Sequence, residues 1–177
     1  MVTFFFKGIS AVDFIKKESK WMNIRRANNN DTEGVLNLLS QVLEVHAAIR
    51  PDIFISGTTK YTNEELQNIF KDDLRPIYVA VNDADEVLGY AFCVIKKYVP
   101  SNNIVPFDSI YIDDLCVDEK ARGQHIATKL FEHVKEEARK MGCYEITLNV
   151  WEGNDNARSF YDNMGMCIKS TTMEYIL

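Results

Sequence analysis

The chain has 177 residues, 46% hydrophobic and 26% charged, ordinary globular usage with enough apolar side chain to bury a core. At roughly 150 residues per domain, one folded domain is expected. Against 20 Lys and Arg stand 26 Asp and Glu, a net charge of −6, which argues against a phosphate-backbone binder and hence against a nucleic-acid partner. Cys93, Cys116, Cys143 and Cys167 form no Cys-x-x-Cys pair and have no His at zinc-ligand spacing. No metal site is expected, and the four read as reduced core residues, which fits a cytoplasmic protein.

Residues 1–21 share no pattern with the rest of the chain and read as an N-terminal extension to a domain over residues 22–177. The apolar run Val2–Phe6 is cut by Lys7, too short for a signal-peptide core or a membrane span, so no membrane partner is expected. The first strand is Asn23–Arg26, and the polar run Asn28–Thr32 starts a helix whose stripe is Val35, Leu38, Leu39, Val42, Leu43, Val45 and Ile49, ended by Pro51. Thr62 and Glu65 make a capping box for a short second helix carrying Leu66, Ile69 and Phe70. Ile77–Val81 and Val87–Tyr98 read as a hairpin about the turn Asn82–Asp85, and Ser109–Val117 as a further strand. A helix over Arg122–Lys140 shows the stripe Ile126, Leu130, Val134 and Ala138 and a Gly142 cap. A strand at Glu145–Val150, a helix at Asp155–Asn163 and a last strand or strand pair at Met166–Ile176 complete the order β-α-α-β-β-β-α-β-α-β, a mixed α/β (α+β) domain. A terminal edge strand would suit a homodimer.

Chemistry concentrates at two places. Leu115-Cys116-Val117 leads through Arg122-Gly123-Gln124-His125 into a helix, a strand-to-helix turn that aims unpaired amides and the positive helix end at one spot, as phosphate groups require. About thirty residues past that helix start comes Asn154-x-x-Ala157-x-x-x-Tyr161-x-x-x-Gly165-Met166. Arg122–Ala127 resembles the Q/R-x-x-G-x-G/A pyrophosphate loop of the GNAT superfamily of N-acetyltransferases, and the Asn154–Met166 stretch resembles that superfamily's later motif. The two stand in the family's order and separation, and the resemblance spans residues 23–177.

The resemblance implies the acyl-CoA N-acyltransferase fold, a mixed central sheet, and acetyl-CoA lying in a V between the strands ending at Val117 and Val150, with no metal. Backbone at Leu115, Cys116 and Val117 would hold the pantetheine arm. Arg122, Gly123, Gln124, His125, Ile126, Ala127 and Thr128 would cradle the pyrophosphate, and Asn154 would touch the cofactor from the other side. The family's central glycine falls on His125, which costs roughly 1 kcal/mol or more if φ is positive there.

Acetyl transfer to an amine needs a proton acceptor for the amine and a proton donor for the departing thiolate. Tyr161 matches the family tyrosine near the CoA sulfur and is the expected donor. Ile112-Asp113-Asp114-Leu115 resembles the acidic pair of the diamine and polyamine branch, making Asp113 the expected base, with Asp114 and Glu152 gripping a cationic substrate. Strand alternation sends Asp113 and Asp114 to opposite faces. The loop Arg50–Phe54 could border the acceptor site or simply stop a helix. The expected partner is a small-molecule primary amine, polyamine-like or amino-acid-like. The rivals are a peptide or protein α-amine acetyltransferase, whose branch places a glutamate where Asn149 stands, and a non-catalytic acyl-CoA sensor. The domain from Met22 carries 16 bases against 24 acids, so its acids, Asp113, Asp114 and Glu152 among them, suit an ammonium.

Overall fold

In the strand Ile77–Asn82, Ile77, Val79 and Val81 face one side, Tyr78 and Ala80 the other, and all five are buried. A strand buried on both faces must lie between layers of helix. The computed structural model, which describes residues 22–177, shows that arrangement; the expected extension over residues 1–21 lies outside the described residues. The elements are β1 (Met22–Arg26), α1 (Thr32–Ile49), α2 (Asn63–Ile69), β2 (Ile77–Asn82), β3 (Val87–Lys96), β4 (Ser109–Val117), α3 (Ile126–Lys140), β5 (Glu145–Leu148) and α4 (Asp155–Asn163). The sheet runs β1-β2-β3-β4-β5, antiparallel except for the parallel pair β4–β5.

One face carries α1 and α2, with Val35, Leu38, Leu39, Leu66 and Ile69 against Ile77, Val79, Tyr90, Phe92 and Cys116. The other carries α3, whose stripe Ile126, Leu130, Phe131, Val134 and Ala138 packs on Tyr78, Ala80, Ala91, Ile110 and Ile112, with Phe160 and Tyr161 of α4 alongside. The capping box of Thr62 and Glu65 forms as its sequence implies, and a second joins Asn28 and Asp31. Arg25 grips both oxygens of buried Asp31 at 2.7 and 2.8 Å and reaches Asp85 at 2.7 Å, tying β1 to the start of α1 and to the β2–β3 turn.

Three expectations are corrected. The helix foreseen from Arg122 begins only at Ile126, because residues 122–125 form a turn with two left-handed residues. Met166–Ile176 forms no ladder: Lys169 pairs with Glu145 and Glu174 with Arg50, but Met173, Tyr175 and Ile176 are 90%, 88% and 73% exposed. No buried face sets a register there, so the edge strand that suggested a homodimer is absent. Cys167 lies on this exposed segment, whereas Cys93 and Cys116 are buried and Cys143 half-buried.

Gly89 of β3 leaves room for α3 against the sheet. A Cβ there would sit 2.9 Å from the Cys116 carbonyl oxygen, 3.2 Å from Leu130 Cδ1 and 3.3 Å from Ile126 Cγ2. Gly89→Ala is expected to lower stability by about 1–3 kcal/mol by overpacking, read as a fall in the urea midpoint at constant slope.

Candidate active site

β4 and β5 are paired only from Ser109↔Glu145 to Ile112↔Leu148. Beyond Ile112, β4 runs on to Val117 without a β5 partner, at the carboxyl ends of the strands, where open α/β sheets bind ligands. At the same point the β3–β4 register slips: Phe92 faces Asp114 while Cys93 faces Ile112, so Asp113 is an extra residue, a β-bulge.

The bulge overturns the expectation that Asp113 and Asp114 point to opposite faces. Asp114 lies opposite Phe92, and its Oδ2 accepts the Tyr90 hydroxyl at 2.7 Å. Asp113 is exposed, and its Oδ2 accepts from Lys60 Nζ at 2.7 Å. Lys60 precedes Tyr61, whose ring stacks on Phe92 at 6.0 Å, so both carboxylates lie on the α1–α2 side. Burial pushes Asp114 above its ordinary value, opposed by the Tyr90 hydroxyl and by the charges of Lys60 and His46. Burial also pushes the Cys116 thiol up to about 12, which leaves it protonated and a poor nucleophile at neutral pH.

The loop after α1 packs on the chain just past β5. Phe54 meets Trp151 edge-on at 5.4 Å and His46 at 5.1 Å, and Arg50 lies 5.7 Å from the Trp151 ring. The sequence reading of residues 50–54 left that placement open. Asn149 Nδ2, just past β5, donates to the hydroxyl of Tyr111 in β4 at 3.2 Å. Glu152 is exposed in the turn beyond, and among the described residues no hydrogen bond or ion pair joins it to the Asp pair.

On the other wall, Gly123 has φ of +79° and His125 φ of +58°. No side chain caps α3, so the amides of Ile126, Ala127 and Thr128 precede the first helical bond, from Lys129 N to the His125 carbonyl at 3.1 Å. Uncapped first-turn amides at a strand-to-helix turn fit a pyrophosphate. Arg122, Gly123, Gln124 and His125 are exposed there, and Arg122 is 3.6 Å from Glu119. Leu115 and Val117 are half-buried and Cys116 buried, along the β4 stretch that β5 leaves uncovered. Asn154 caps α4, its Oδ1 accepting from Ala157 N at 3.2 Å. Tyr161, two turns on, packs between Phe131 at 6.1 Å and Phe160 at 5.0 Å. Burial, reinforced by the Asp114 carboxylate, raises its phenol well above the ordinary value and keeps it protonated.

Lys60, Tyr90 and Tyr111 belong to this site and were not foreseen. Lys60 carries no local signal, because a loop some fifty residues before Asp113 brings it in. Tyr90 and Tyr111 become legible only once the register is known.

Residues 42–166 match the acetyltransferase (GNAT) family. The chain belongs to this family. A peptidyl-lysine N-acetyltransferase, YjaB of Salmonella typhimurium, is 28% identical over 144 residues, 81% of this chain and 82% of its own. The thialysine N-epsilon-acetyltransferase of Bos taurus is 26% identical over 152 residues, 80% and 82%. A solved structure of a mutant of the BH1408 protein from Bacillus halodurans superposes with a TM-score of 0.83 at 30% identity, covering 88% of this chain and 99% of that one. The chain is thus an acyltransferase with the acyl-CoA N-acyltransferase fold, and acetyl-CoA is this fold's donor. Among the described residues no cluster of His, Cys, Asp and Glu could hold a metal ion, and no helix is long and apolar enough to cross a membrane.

Strained and desolvated groups give two expected outcomes. His125→Gly relieves a left-handed conformation and is expected to gain about 0.5–1 kcal/mol after glycine's added chain entropy, whereas His125→Val loses stability, both read by urea denaturation. Asp114, raised in the folded state, makes its carboxylate form costly. That cost is full above the folded pKa and fades as pH falls toward the unfolded value near 3.8. Asp114→Asn, which keeps the acceptor for Tyr90, is expected to melt higher than wild type at neutral pH and to lose the advantage near pH 4; a difference flat in pH contradicts the assignment.

Proposed function

We propose that the chain acetylates a primary amine of a small molecule, polyamine-like or amino-acid-like, by direct attack in a ternary complex with acetyl-CoA, in the cytoplasm. The observation that carries this reading is the ammonium of Lys60, which sits on Asp113 at 2.7 Å where β4 and β5 part. A carboxylate that holds one alkylammonium at the mouth of the V is built to hold another.

Acetyl-CoA supplies an activated acetyl thioester. Backbone at Leu115, Cys116 and Val117 holds its arm, residues Arg122–Thr128 receive its pyrophosphate on the first-turn amides of α3, and Asn154 borders it from α4. Asp113 accepts the proton that an incoming ammonium must lose before its nitrogen can attack. Asp114 lends a second charge that grips the cation, and Glu152 stands farther out as a collecting acid. Tyr161 donates to the departing thiolate, a role that suits a phenol kept protonated by burial. The high pKa of the Cys116 thiol favours direct attack over an acyl-cysteine route.

A second acceptor class has an observation of its own. The Salmonella relative is named for peptidyl-lysine, and the group on Asp113 here is a lysine side chain. A peptide or protein α-amine acceptor is less well served: Asn149, bonded to Tyr111, cannot act as the base that the N-terminal branch places there.

Release of CoA thiol, assayed with small amines, lysine peptides and peptides with free α-amines, separates these acceptors; the expected order places small diamines and amino acids first. Tyr161→Phe is expected to lower kcat roughly 100-fold with KM little changed, and Asp113→Asn to lower kcat/KM by a similar factor, relieved at higher pH where free amine accumulates. Unchanged rates in either variant would falsify its assigned role.

A further inference from the structure

Lys60 enters the site from outside the chemistry described for it. Its loop, between α1 and α2, lies on the face that carries both carboxylates, and its Nζ makes a 2.7 Å bond to Asp113 Oδ2 while lying 5.3 Å from the Tyr61 ring centroid. The pair is accessible: the Lys60 side chain is 45% exposed and that of Asp113 33%. Four flexible carbons let the amine move without unfolding its loop. Resting on the acceptor role given to Asp113 above, we propose that Lys60 is an internal acceptor, acetylated by the chain's own acetyl-CoA, and that acetylation frees Asp113 for external amines.

The atoms balance without further reagents. The Lys60 nitrogen forms a bond to the acetyl carbon and the carbon–sulfur bond of the thioester breaks. Of the three ammonium protons, one stays on the amide nitrogen; the other two are matched by one proton on the CoA sulfur and one released to solvent. Desolvation opposes the charge on Lys60, but the Asp113 carboxylate outweighs it and holds the amine above its ordinary value, so the reaction needs Asp113 as proton acceptor and runs as a slow, single modification. The product amide carries no charge, so the Lys60–Asp113 ion pair is lost and an incoming ammonium no longer competes with Lys60.

The full chain is incubated with acetyl-CoA and no added amine, and the acetyl group is followed by intact mass and peptide mapping. The expected result is one acetyl group per chain on Lys60, formed at a first-order rate independent of protein concentration. Lys60→Arg removes it. Asp113→Asn slows it roughly tenfold or more, while thermal stabilisation by CoA shows that this variant is folded. The acetylated chain, and Lys60→Gln with it, then shows a several-fold lower KM for cationic amines. The proposal is overturned if Lys60 reacts no faster than an exposed lysine such as Lys71, if the rate rises with protein concentration, or if Asp113→Asn leaves it unchanged. A chain that acetylates added amines yet leaves Lys60 unmodified overturns this inference alone. A chain that transfers acetyl to no amine, external or internal, removes the acetyltransferase reading with it.

Discussion

One surplus residue in β4 organises the site. Because Asp113 has no partner in β3, the strand bends where its pairing with β5 ends at Ile112↔Leu148. A straight, evenly paired β4 would keep alternating, sending one aspartate under α3 and the other under α1. The bulge instead puts both on the α1–α2 side. Two consequences meet at one place: β4 runs on past the end of its β5 partner, and two carboxylates collect beside that end. Bulges next to active sites re-aim side chains, and here the re-aimed group is Asp113, which takes the Lys60 ammonium at 2.7 Å.

The electrostatics reflect how unequally the two acids are placed. Asp114 is enclosed against Tyr90, and desolvation resists its ionisation; Asp113 is in contact with water and with Lys60. Neighbouring carboxylates can thus differ in surroundings, one exposed and ion-paired and one enclosed. That field extends to Tyr161, where it adds to burial in holding the phenol protonated. The overall charge of −6 says little about this, since a lysine from the same chain offsets one of the two acids at the opening.

Much of this fold could be read from the chain because its signals are local. The alternation of Ile77–Val81, the Thr62–Glu65 box and the stripe Ile126–Ala138 each fix an element through neighbouring residues. The strand expected at Met166–Ile176 failed because its apolar residues beyond Met166 stay exposed, which composition does not reveal. The same division runs through the site. Asp113, Tyr161 and the Gly123 turn lie in recognisable spacings, whereas the side on which Asp114 emerges depends on a register slip, and Lys60 arrives through a loop distant in sequence.

His125 shows how such a departure from a family pattern is tolerated. The backbone there is left-handed, at φ of +58°, so the position does ask for what glycine supplies. Histidine is among the residues that enter this region at moderate cost, and its ring is exposed, so the strain is confined to one residue's torsions. What the turn must deliver is the direction of the next amides, those of Ile126, Ala127 and Thr128, and that depends on the torsion and not on the side chain. The buried stripe of α3 holds the torsion in place from below, through Ile126 and Leu130 packed against Gly89. The strain at His125 is therefore carried by the contact between α3 and the sheet, where the absence of a side chain at Gly89 leaves room for Ile126 and Leu130.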